Sequence, residues 1–135
     1  MDKSLDEVYK RCRDAACRDD EVAVSNGGPA LPPNRRELGR AGWLYLHSMA
    51  ADFPEKATAL EELKAKAWCY SFAELYPCHI CKESLVETYR RFPPVTKSRR
   101  DLLMWTFNIH NQVNAELSYP HYNATFEDLL RKYRA

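Results

Sequence analysis

The chain has little glycine, four residues in 135, and β-branched residues are sparse outside a few sites. A strand-rich architecture is therefore disfavoured, and helical spacing of apolar residues dominates instead. Long hydrophobic runs are also missing, which excludes a membrane-spanning helix by the length criterion. Neither sign of charge prevails: 20 Lys and Arg against 19 Asp and Glu leave a formal net charge of +1. Acids and bases are interleaved, so nothing marks a nucleic-acid or membrane-surface binder. The opening MDKSLDEVYK has no apolar segment and carries acids, and so reads as neither a secretory signal nor an Arg-rich transit peptide. Five cysteines are too few for a disulfide scaffold and odd in number. Two close pairs, Cys12/Cys17 and Cys78/Cys81, plus the singleton Cys69 point to redox or metal chemistry more than to stapling.

What remains is a soluble composition, 45% hydrophobic and 29% charged, of a size suited to one compact core. Residues 1–34 read as a flexible segment: a polar opening, with a helical turn or two around Leu5, Val8 and Tyr9, then the breaker stretch SNGGPALPPN. A domain over 35–135 follows. Its first helix is expected at 36–53, with Leu38, Trp43, Leu46, Met49 and Phe53 at core-like spacing, ended by Pro54. A second, at 57–76, carries Leu60, Leu63, Ala67, Tyr70 and Leu75 and stops at Pro77. A third opens at Cys78, includes Leu85, Val86 and Tyr89, and breaks at Phe92-Pro93-Pro94. Ser98-Arg99-Arg100-Asp101 reads as a capping box for a fourth at 99–117, and Thr125-Phe126-Glu127-Asp128 caps a short fifth at 125–134. The fold class is all-α, a four-helix bundle with a short fifth helix.

The most informative local feature is Tyr76-Pro77-Cys78-His79-Ile80-Cys81. Proline is tolerated in a first helical turn, so both thiols fall in or near the opening turn of the third helix. There the unsatisfied amides and the positive end of the dipole favour a thiolate. The spacing suits a redox disulfide, and zinc sites use it as well. No βαβ pattern surrounds it, which disfavours a thioredoxin-like protein.

In the fourth helix, Phe107, His110, Asn111 and Asn114 share a face by i, i+3, i+4, i+7 spacing. Such a face is costly to bury without polar partners. It is either a solvent-facing stripe or the wall for a flat, polar-edged ligand such as a nucleotide or flavin. On the first helix, Arg40, Trp43 and His47 likewise share a face. Lone residues of these types on an apolar helix are more often core than ligand.

Taken together, these segments resemble the Erv/ALR family of flavin-linked sulfhydryl oxidases. The matching pieces are Arg36-Glu37-Leu38-Gly39-Arg40-Ala41-Gly42-Trp43-Leu44-Tyr45-Leu46-His47, then Leu75-Tyr76-Pro77-Cys78-His79-Ile80-Cys81, then Trp105 with His110-Asn111-Gln112-Val113-Asn114. The resemblance implies a helical bundle that holds FAD and makes disulfides in thiol-containing protein substrates, passing electrons to oxygen, with release of hydrogen peroxide, or to another acceptor. It further implies a homodimer. Arg40, Trp43, His47, His110, Asn111, Val113 and Asn114 are the cofactor contacts it implies, with Tyr70 and Phe72 as further ones from the second helix. Cys81 is implied to face the isoalloxazine and Cys78 to take the incoming thiol. Cys12 and Cys17, ahead of the flexible stretch, stand where relatives carry a shuttle pair. No metal site is implied. The family's compartments imply the mitochondrial intermembrane space first, with the host cytoplasm of a virus or the secretory pathway as alternatives.

The sequence departs from the family pattern in several places. Phe107 and Ala124 stand where relatives have a structural disulfide. Glu116 and Tyr119 replace basic residues, leaving Arg131 and Lys132 as the nearest cations for the FAD phosphates and Tyr133 as a covering aromatic. Cys69, mid-helix, reads as a buried free thiol.

Overall fold

The computed structural model describes residues 32–134. The helical turns expected around Leu5, Val8 and Tyr9, and the Cys12/Cys17 pair, lie outside the described residues. Five helices follow in order: α1 (Arg35–Ala51), α2 (Ala59–Glu74), α3 (His79–Arg91), α4 (Arg99–Glu116) and α5 (Phe126–Tyr133). Each lies within two or three residues of its expected span.

Side chains start every helix. Asn34 accepts from the Glu37 N–H at 3.0 Å. Thr58 and Glu61 form a reciprocal capping box, as do Thr125 and Asp128. Such caps contribute about 1 kcal/mol each. At α4 only half of the expected box forms: Ser98 accepts from the Asp101 N–H at 3.1 Å. The α1 helix stops at Ala51, short of Phe53, in keeping with the bias of a pre-proline residue away from helical backbone.

The central element is α4, which packs on α1, α3 and α5, while α2 packs on α3. Leu102, Leu103, Thr106 and Ile109 of α4 are fully buried. Trp105 is buried too, and its indole N–H donates to the Phe92 carbonyl at 2.9 Å, so its polar edge has a partner. Arg99 likewise ties the end of α1 to α4 by donating to the Phe53 carbonyl at 2.7 Å. Phe107 and Ala124 are both partly buried and packed against the core.

The inward face of α2 is not its large apolar stripe. Ala65, Cys69 and Ala73 are buried, whereas Leu60, Leu63 and Leu75 are 58%, 64% and 78% exposed. The small side chains, spaced four apart, form the inward face, and the bulkier leucines are left outside. Cys69 is a buried free thiol, and burial pushes it up to about 12. Among the described residues no helix is long and apolar enough to cross a membrane.

Candidate functional site

Cys78 and Cys81 are joined in a disulfide, with Cα atoms 5.3 Å apart. Cys78 is the N-cap of α3, and its sulfur accepts from the Cys81 N–H at 3.4 Å. Pro77 thus stands before the cap and not in the first turn. On reduction the sulfurs lie beside the free amides and positive dipole end of α3, which favour a thiolate. The two sulfurs differ in access: Cys78 is completely buried and Cys81 only partly so. No group of three metal-ligating side chains occurs among the described residues.

Cys81 forms part of the wall of a narrow cavity of about 100 Å³, together with Gly42, Trp43, Phe72, Tyr76 and Leu85. Gly42 lets α1 approach Phe72 closely, since a Cβ there would meet the ring at 3.1 Å. The slot continues past Trp43 and Val113, which it shares with a larger cleft of about 640 Å³. Arg35, Arg36, Arg40 and Lys132 line that cleft, and among the described residues no acid does. Lys132 is set over the rings of Tyr122 and Tyr133, at 5.1 and 5.2 Å. A flat apolar group against the disulfide, continuing into an anionic portion among the cations, fits this shape and charge.

Between the two regions Trp43 stacks on His110, with ring centres 4.1 Å apart and planes within 7°. His110 Nδ1 lies 2.9 Å from His47 Nε2, and His47 Nδ1 lies 2.9 Å from Thr106 Oγ1. Burial, then His110 and Lys132, pull His47 down to about 3. Burial, then Lys132, pull His110 down to about 4. Both rings are therefore neutral near pH 7.

The sequence profile of the Erv1/Alr family matches residues 40–134. The chain belongs to the Erv1/Alr family. It is 34% identical over 124 residues to the mitochondrial FAD-linked sulfhydryl oxidase erv1 of Schizosaccharomyces pombe, covering 90% of this chain and 67% of that protein. To the FAD-linked sulfhydryl oxidase ERV2 of Saccharomyces cerevisiae it is 40% identical over 83 residues, 62% of this chain and 42% of that protein. The chain thus spans between two fifths and two thirds of these relatives' length. The crystal structure of the yeast Erv1 core superposes with a TM-score of 0.73 at 29% identity, over 84% of this chain and 96% of that one.

Of the residues that the family resemblance implies as cofactor contacts, Arg40, Trp43, His110, Val113, Asn114, Lys132 and Tyr133 all line the larger cleft. His47 stands behind them, 1% exposed, with both ring nitrogens partnered. Asn111 is also buried, but its amide is bonded to the backbone of Tyr122 and so is turned to the 117–125 loop. Tyr70 is not brought to the cleft: it is 42% exposed on α2 and meets Tyr89 edge-on, while Phe72, two residues on, takes the place in the slot. Arg131 is held by Asp128 of its own helix, which leaves Lys132 as the α5 cation in the cleft. Glu116 lines the narrow slot and not the larger cleft; it pairs with Arg91 at 3.2 Å and accepts from Ser84. Arg35 and Thr106 carried no motif, and Tyr76, although it opens the Tyr76–Cys81 motif, was given no place in the site. Thr106 carried one signal, its position four residues before His110 on the same face.

Proposed function

We propose that this chain is an FAD-dependent sulfhydryl oxidase that introduces disulfides into thiol-containing protein substrates. The observation that carries this reading is the position of Cys81: it is bonded to Cys78 and at the same time lines a slot that runs into a cation-rich cleft. FAD fits that combination, its ring system in the apolar slot and its pyrophosphate among Arg35, Arg36, Arg40 and Lys132. Bound FAD supplies a two-electron acceptor that oxygen, with release of hydrogen peroxide, or another acceptor can regenerate. The chain's own residues supply the thiol chemistry. A substrate thiolate attacks Cys78, forming a mixed disulfide and releasing Cys81 as a thiolate at the amino end of α3. A second substrate thiolate then attacks the substrate sulfur of that mixed disulfide, leaving the substrate oxidised and Cys78 and Cys81 as a dithiol. Because Cys78 is buried, the neighbouring chain must move aside for the first attack. A small dithiol takes this route directly; for a protein substrate, the substrate thiolates first reduce a Cys12–Cys17 disulfide by the same exchange, and the resulting Cys12/Cys17 dithiol then attacks Cys78.

The protein works as a homodimer on this reading. Tyr45 of α1 and Leu60 and Leu63 of α2 are large exposed apolar side chains of the kind that association covers. The mitochondrial relative in fission yeast supports a mitochondrial location; the intermembrane space is the compartment that the family resemblance implies. The test is to purify the chain and measure flavin content and dithiol oxidation. About one FAD per chain and peroxide release coupled to dithiol loss are expected; a colourless, inactive chain that takes up no added FAD overturns the reading.

A further inference from the structure

The two histidines lie in a row of hydrogen bonds whose direction is fixed at one end. Thr106 Oγ1 donates to the Leu103 carbonyl at 2.8 Å. A hydroxyl has one proton, so toward His47 Nδ1, 2.9 Å away, the same oxygen accepts. His47 therefore carries its proton on Nδ1, and in the neutral ring Nε2 is a bare lone pair. His110 Nδ1, 2.9 Å from that lone pair, must be the donor. This leaves His110 Nε2 without a proton, on the side of the ring away from His47. It has no hydrogen-bond partner among the described residues, and His110 forms part of the cleft wall. The stack on Trp43 fixes the plane in which that nitrogen points.

We propose that Thr106 is a positioning residue that locks His47 and His110 in their Nδ1–H tautomers, so that His110 Nε2 meets the ligand as a hydrogen-bond acceptor. The group that docks there must then be an N–H or O–H donor. This ligand clause rests on the reading of the cleft as the FAD site; FAD carries such donors in its amino, imide and hydroxyl groups. Thr106 touches no ligand and acts through His47. Burial and Lys132 support the arrangement by keeping both rings neutral: a proton on His47 Nε2 would face the His110 Nδ1–H, and one on His110 Nε2 would remove the acceptor offered to the ligand.

The experiment is nitrogen NMR on the ligand-free, full-length chain labelled in histidine, with FAD affinity measured on the same samples. In the wild type, His47 and His110 are expected to show protonated Nδ1 and bare Nε2. Thr106→Val removes the acceptor without changing shape; His47 should then move its proton to Nε2, and His110 should follow. FAD affinity should fall by roughly tenfold, the worth of one hydrogen bond. Thr106→Ser keeps the hydroxyl and should restore both the tautomers and the affinity. Protonated Nε2 on the two rings in the wild type, or wild-type tautomers or FAD affinity in Thr106→Val, would overturn the proposal. Failure of the wild type to take up FAD overturns the FAD reading and the ligand clause with it. That outcome is distinguishable from a failed relay because the nitrogen signals are read without ligand.

Discussion

Asn111 uses its whole side-chain amide on Tyr122, donating to its carbonyl at 2.9 Å and accepting from its N–H at 3.0 Å. Two backbone groups of the α4–α5 loop are thereby tied to a buried position on α4. The loop in turn carries Tyr119 and Tyr122, which border the basic side of the site. Asn111→Ala should therefore act on stability before cofactor affinity, costing about 1–3 kcal/mol because buried partners lose their bonds. Asn111→Asp, which can accept but not donate, should fall between. A melting temperature for Asn111→Ala equal to that of the wild type would contradict the assignment.

The neutral histidine pair gives the protein an acid-sensitive step. Both folded-state values lie below the ordinary 6.5, so the unfolded chain takes up protons that the folded chain refuses. Stability is then fully present above pH 6.5 and is lost as pH falls through about 4 for His110 and toward about 3 for His47. Lys132, from α5, faces the same pair and opposes its protonation at every pH in this range. Denaturant midpoints followed across the window should fall for the wild type and fall less steeply for His47→Gln. Equal slopes for the two proteins would remove the pair as the cause.

The amino-terminal cysteines are assigned to relay, not to the cofactor pocket. Cys12→Ser and Cys17→Ser should leave oxidation of a small dithiol near the wild-type rate and slow oxidation of a reduced, unfolded protein. Equal rates on the protein substrate would make the two thiols incidental.

Much of the scaffold was legible because helix boundaries are local chemistry. Ser98 and Thr125 announce their helices by side chains that need only the next three residues, and Pro54, Pro77 and Pro93 interrupt helices by covalent geometry. The orientation of α2 was not local. Its leucines and its Ala65-Cys69-Ala73 stripe are both at helical spacing, and spacing alone does not say which of the two faces inward. The same ambiguity misplaced Tyr70, whose neighbour Phe72 is rotated into the slot. For the polar face of α4, periodicity correctly joined His110 and Asn114. It could not tell that Asn111 would find its partner in the Tyr122 backbone, eleven residues on, or that Thr106 would fix His47 from the neighbouring helix.

The central claim is that electrons from thiols reach the flavin through Cys81, and it is tested most directly by the flavin's own colour. Wild-type, Cys78→Ser and Cys81→Ser chains are loaded with FAD, made anaerobic and mixed with a small dithiol, and the visible flavin absorption is followed in time. All three should start equally yellow, because neither cysteine holds the cofactor. The wild type should bleach rapidly, and the two variants should keep their colour over the same interval. Bleaching of Cys81→Ser at the wild-type rate would contradict the account.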